Sequence, residues 1–204
     1  VFLLTLLCQN LEGYRHLTQL ISRAYLDGQA LDIPCIQKNW LQNKTDGLIA
    51  LSPFKESDFG NALIAHQENE ADDFFNDWQA LFPQRFYLTI CRRGKPQEET
   101  IEKKLLSFAL EKNCPVVAVN DVRFLEPDDF EAHEARVCIQ EGVVLDSPQR
   151  DRNYSEEQYL KSPEEMSALF SDLPEALENS VEIAKRCNLK LTLGKSFLPN
   201  FPVP

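Results

Sequence analysis

Apolar positions along this chain follow two spacings. Short, nearly continuous apolar runs fall at Leu3–Cys8, Gly47–Ser52, Arg85–Cys91 and Val116–Val119. Their length and their Gly, Pro and polar flanks predict buried strands. Elsewhere the apolar residues recur every three to four positions. Glu12–Tyr25 places Leu17, Leu20, Ile21 and Ala24 on one face, with Gly28 as its stop. Residues 57–82 predict two short helices, the second carrying Glu68, Glu70, Asp72, Asp73 and Asp77 as a solvated acidic face. Gln97–Asn113 turns Ile101, Leu105, Phe108 and Ala109 inward. Three more helices follow: one over 128–141, one from the capping box Ser162-Pro-Glu-Glu165 to about Ser171, and one opened by Asp172-Leu-Pro-Glu175 with Leu177, Val181 and Ala184 on its face. Residues 29–46 are irregular apart from one helical turn around Trp40.

Strands alternating with helices, then a helix-rich C-terminal portion, predict an α/β barrel or an open parallel sheet. Four strands are too few to close a barrel, which predicts a piece that enters its fold part-way. The apolar, proline-rich tail 197–204 is expected to connect residues 1–196 to a following domain.

Composition narrows the function classes. With 204 residues, 43% hydrophobic and 26% charged, the chain can bury the core of one domain. A net charge of −11 argues against a duplex-binding surface within it. The six cysteines show no CxxC pairing and several sit in apolar runs, so buried reduced thiols and a cytoplasmic location are expected. No apolar stretch approaches the roughly 20 residues that span a bilayer. The opening Val1–Leu7 lacks the basic flank of a signal peptide.

The strongest candidate chemistry is Asp121, a carboxylate just beyond the strand Val116–Val119. The carboxyl ends of strands are where α/β folds keep metal ligands and acid/base groups. Two residues on stands Arg123, a permanent cation that cannot ligate a metal. The bland reading of Asp121 is a carboxylate paired with Arg123 or capping the next helix. His133 and Glu134 on the following helix form a candidate polar network, whereas His16 and His66 are expected to be solvated. The loop Arg92-Arg93-Gly94-Lys95 could hold a phosphate, but an exposed turn beside an acidic helix explains it equally; Arg150 and Arg152 are similar. The sequence has no H-x-H, H-E-x-x-H, Asp-rich calcium loop, P-loop, G-x-S-x-G or clustered aspartates for two-metal catalysis.

Three blocks carry a resemblance: Leu4–Tyr25, Pro115–Arg136, and Arg152–Met166 running on into Leu173–Cys187. In order and wording they resemble the PHP (polymerase and histidinol phosphatase) domain of bacterial replicative DNA polymerase III alpha subunits. The resemblance implies a distorted (β/α)7, TIM-like barrel of parallel βα units, with its first strands before Val1. It also implies a place at the N-terminus of a DNA-directed DNA polymerase whose catalytic aspartates and magnesium lie in another domain. No catalytic residue and no cofactor would then belong to residues 1–204. Family positions that hold metal fall, in this chain, at Leu3, Phe54, Asp121 and Arg123. Three of these four lack a donor, so the resemblance implies a vestigial site in which Arg123 stands where a metal cation would. The implied partners are the proofreading exonuclease subunit, other replicase subunits, and DNA through other domains, with no membrane. The alternative is a metal-dependent phosphoesterase, an exonuclease or pyrophosphatase, whose ligands would precede Val1.

Overall fold

The computed structural model describes every residue except Leu31, Gln97, Gln149, Phe197 and 199–204. The expected start of a helix at Gln97, and nearly all of the expected connector 197–204, therefore lie outside the described residues.

The elements are β1 (Thr5–Cys8), α1 (Leu11–Asp27), a short hairpin of β2 (Gln29–Ala30) and β3 (Ile33–Pro34), and a 3-10 turn at Lys38–Leu41. Then come β4 (Leu48–Pro53), α2 (Asp58–Ile64), α3 (Glu68–Leu81), β5 (Phe86–Ile90), α4 (Glu98–Glu111) and β6 (Val116–Ala118). Finally α5 (Phe130–Glu141), α6 (Pro163–Leu169) and α7 (Pro174–Arg186) complete the chain. No helix among the described residues is long and apolar enough to cross a membrane.

Strands β1, β4, β5 and β6 form one sheet in that order. The parallel expectation holds for β4, β5 and β6 but fails for β1, which runs antiparallel to β4 with Thr5 opposite Leu51 and Cys8 opposite Leu48. The connection explains the reversal. A single crossover helix would return the chain for a parallel strand, but here α1 is followed by a second leg that runs back beside it. Arg23 lies over the Trp40 ring at 4.0 Å, Lys44 Nζ donates to Gln19 Oε1 at 2.7 Å, and His16 Nδ1 is 3.2 Å from the Asp46 carbonyl. The chain re-enters the sheet at the end it left, where the Gln9 amide donates to the Gly47 carbonyl at 2.8 Å.

That return needs two glycines in contact. Asn10 caps α1 through the Gly13 amide at 3.0 Å, and a Cβ on Gly13 would sit 1.9 Å from the Gly47 carbonyl oxygen. Gly47 itself has φ +72.

Side chains alternate across the sheet. Leu48, Ala50, Phe86, Leu88, Ile90 and Ala118 face the main core under α2, α3 and α4. Ile49, Leu51, Tyr87 and Val117 face the other way, against Ile183 of α7. Phe59 is the hub of the main core. It stacks on Phe108 at 5.8 Å and meets Phe54, Phe75 and Phe86 edge-on at 6.0, 5.7 and 6.4 Å. Such pairs add about 0.5–1.5 kcal/mol each beyond burial. Leu105, Phe108 and Ala109 of α4 are buried as the periodicity predicts.

Two expected faces are corrected. In α1, Ile21 is 45% exposed, while Gly13, Leu20 and Ala24 are buried. In α7, Val181 and Ala184 face out and the buried residues are Ala176 and Ile183. The small Ala176 allows close approach, and Asn179 Nδ2 donates to the Val116 carbonyl at 2.7 Å. That bond satisfies a polar group on the outer edge of β6, which an exposed edge strand otherwise leaves open.

Replacing Gly13 by Ala adds about 1 kcal/mol of helix propensity but places a methyl group on the Gly47 carbonyl, which costs about 1–3 kcal/mol or more. The clash wins: the urea midpoint of Gly13→Ala is expected to fall, and a rise would contradict the tight return.

Candidate functional site

The carboxyl ends of β4, β5 and β6 open onto one cleft of about 520 Å³. Leu3, Phe54, Asp121 and Arg123 all line it. Phe54 is buried, with its ring against Phe59, while Leu3 is 61% exposed at the rim and its amide donates to the Glu56 carbonyl at 3.0 Å.

Asp121 sits at the centre with φ +46, a left-handed backbone that Asp and Asn tolerate better than other non-glycine residues. Its Oδ1 is 2.9 Å from Arg123 Nη2. Its Oδ2 accepts from Gln158 Nε2 at 2.8 Å and from Arg93 Nη1 at 3.3 Å. The carboxylate is thus shared by two guanidiniums and one amide. It caps no helix: the 3-10 turn Pro127–Asp129 is capped by Glu126 and Asp129.

Each partner is placed by its own element. Arg93 follows β5, and Glu98 at the start of α4 accepts from its Nε and its amide at 2.8 Å each. Gln158 arrives because the chain beyond β6 runs beside residues 158–160. The Arg123 amide donates to the Gln158 carbonyl at 2.8 Å, and Asn120 Nδ2 donates to the Tyr159 carbonyl at 2.9 Å. Gln158 is 1% exposed, so its amide is fixed before any ligand arrives.

The basic loop divides in two. Arg92 turns away and staples α4 to the α6–α7 junction, donating to Asp172 at 2.7 and 2.8 Å, to the Leu169 carbonyl at 2.5 Å, and to Glu102. Donating to Asp172 and Glu102 pushes the Arg92 guanidinium pKa up, and the same bonds hold the Asp172 carboxyl below its usual range. Arg93 and Lys95 instead face the cleft, and Lys95 reaches the Asn153 carbonyl.

His133 and Glu134 form two separate contacts. Glu134 binds Arg150 at 2.7 Å, with both side chains nearly buried. His133 lies edge-on to Tyr154 at 4.6 Å, and its Nδ1 is 3.3 Å from Arg136 Nη2. Burial, then Arg136, lowers its pKa, so the ring is neutral at neutral pH. Arg123 lies 5.5 Å over the other partner of that ring, Tyr154, so the two groups share a neighbour. His66 is exposed as expected, whereas His16 is half-buried against the return leg. Among the described residues no three His, Cys, Asp or Glu side chains are grouped to hold a metal ion.

Sequence reasoning missed Lys55, Glu98, Tyr154 and Gln158. Arg93 could have been separated from Arg92, because successive side chains on extended backbone point to opposite sides. Gln158 gave no signal, since its role comes from a pairing between segments 37 residues apart in sequence.

The six cysteines are free thiols. Burial pushes Cys91, which lines the cleft, and Cys114 up to about 12. Both are expected to resist alkylation in the native protein and to react once urea unfolds it, read by mass spectrometry. The sign for stability follows. Unfolded thiols ionise near 9.0 while native ones stay protonated, so stability falls as pH rises from 9 towards 12. A urea midpoint that rises over that range would contradict it.

Replacing Asp121 by Asn keeps the backbone tolerance and removes the charge. With Asp121 about one-quarter exposed, a loss of about 1 kcal/mol is expected. An unchanged melting temperature would show that the two guanidiniums need no carboxylate.

Comparison with known proteins places the chain as follows. The PHP domain family model matches residues 2–93. DNA polymerase III subunit alpha of Pseudomonas aeruginosa is 51% identical over 98% of this chain. The same subunit of Escherichia coli K12 is 46% identical over 98%, and that of Vibrio cholerae 47% over 98%. The chain spans 17% of the length of each of these relatives.

Proposed function

We propose, from the premise that residues 2–93 belong to the PHP domain family, that this chain is the PHP portion of a replicative DNA polymerase III alpha subunit and acts there as a metal-free scaffold. The whole subunit is then a DNA-directed DNA polymerase whose magnesium-dependent chemistry lies in other domains. Residues 1–204 support those domains and offer a docking surface to the proofreading exonuclease subunit. In this reading the sheet is one part of a distorted barrel.

The observation that carries the reading is the donor set of the cleft. A structural or catalytic metal takes three or four N, O or S ligands. Of the four expected ligand positions, Leu3, Phe54 and Arg123 offer none, and the carboxylate at the fourth, Asp121, is held by two guanidiniums. A divalent ion at Asp121 would have to displace both cations and would gain a single carboxylate. The exposed Tyr25, Leu26, Leu110 and Ile139 support a scaffold role, since apolar side chains on outward helix faces suit contacts with neighbouring domains.

The test uses the full-length subunit. After incubation with zinc or manganese and gel filtration, elemental analysis is expected to find less than one metal per chain at this domain. A 3′-mismatched primer should lose no nucleotide to it. Stoichiometric metal with metal-dependent hydrolysis, both abolished in Asp121→Asn, would overturn the scaffold reading in favour of a phosphoesterase.

A further inference from the structure

His133 on α5 is a buried titratable group that the cleft itself does not use. Its side chain packs on Phe124, with ring centroids 5.5 Å apart, and on Tyr154 at 4.6 Å, and the residue is 6% exposed. We propose that His133 is a pH-sensitive latch: neutral, it holds Tyr154 and the segment 153–160 against the cleft, and protonated, it leaves that place and lets the segment open.

The hydrogen bonding admits only the neutral ring. Nδ1 of His133 is 3.3 Å from Arg136 Nη2, and a guanidinium has N–H groups but no acceptor. Nδ1 therefore accepts, which places the ring proton on Nε2. That nitrogen is buried and meets no acceptor among the described residues. A second proton on Nδ1 would set two donors against each other and leave a cation among aromatic rings. The facing charges do not offset that cost. Glu134, next along α5, attracts the proton, but its carboxylate is engaged by Arg150 at 2.7 Å. Arg136 on α5 and Arg123 from the segment beyond β6 both oppose it. Arg123 lies over the Tyr154 ring, the titratable side chain that faces His133 from the segment 153–160. Burial, then Arg136, hold the His133 pKa below its ordinary 6.5.

Tyr154 is what the latch grips. Its segment supplies Asn153, Tyr154 and Gln158 to the part of the cleft beside Asp121. Ser155 Oγ donates to the Arg93 carbonyl at 2.6 Å. The Arg123 amide donates to the Gln158 carbonyl at 2.8 Å, and the Leu160 amide to the Phe124 carbonyl at 3.1 Å. Its regular structure is a single 3-10 turn, Glu156–Gln158, and such segments open at lower cost than a packed sheet. The opened state binds a proton near pH 6.5 that the closed state refuses. Opening is therefore flat above about pH 7.5 and grows about tenfold by about pH 5.5.

The test is amide hydrogen exchange, read by mass spectrometry on the full-length subunit at about pH 7.5 and about pH 5.5, with labelling times scaled for the intrinsic rate. In the wild type, peptides carrying the Arg123, Gln158 and Leu160 amides are expected to lose about tenfold in protection at the lower pH, while those of β5 keep theirs. His133→Phe retains a ring that cannot titrate, so the loss should vanish. Arg136→Gln removes one opposing guanidinium and should lose less protection than the wild type; it decides the matter if the Phe ring is not accommodated. Equal protection at both pH values in the wild type, an undiminished loss in either variant, or a matching loss in β5 overturns the latch.

Discussion

One carboxylate between two guanidiniums organises the functional end of this protein. Asp121 joins the end of β6 to Arg93 beyond β5 and, through Gln158, to the segment that pairs alongside residues 120–125. Exposed ion pairs are worth little singly, about 0–1 kcal/mol. The constraint is one of arrangement. Without the carboxylate, two cations would face each other across a pocket that already contains Lys55 and Lys95. The same arrangement bears on the chemistry, since two guanidiniums beside one carboxylate disfavour a further cation there.

The rest of the fold holds those strand ends still. Phe54 immediately follows β4 and serves both the cleft and the core, because its ring packs on Phe59 while its position faces Asp121. Phe59 in turn ties α2 to α3, β5 and α4 through Phe75, Phe86 and Phe108. On the other side Arg92 binds α4 to the start of α7, and Asn179 seals the outer edge of β6. Phe54 thus extends the aromatic core to the wall of the cleft.

Much of this was legible in the sequence, because short apolar runs and three-to-four-residue spacing report burial directly. The four sheet strands, the buried face of α4 and the capping box at Ser162 all follow from local pattern. The direction of β1 does not, since it depends on residues 28–47 running back along α1, and irregular backbone carries no periodicity. The face of α7 was misread because two apolar stripes compete on that helix, and only packing against β6 selects Ala176 and Ile183 over Val181 and Ala184. In the site, Asp121 and Arg123 lie two residues apart and their pairing could be anticipated. The separation of Arg92 from Arg93 and the arrival of Gln158 depend on long-range placement.

Anomalous X-ray scattering at the zinc and manganese edges, from crystals of the full-length subunit grown with either ion, tests the central claim most directly. The account predicts no anomalous peak within bonding distance, about 2.0–2.2 Å, of either Asp121 oxygen, with both guanidiniums still in place. A peak there, with Arg93 and Arg123 swung away, would contradict it.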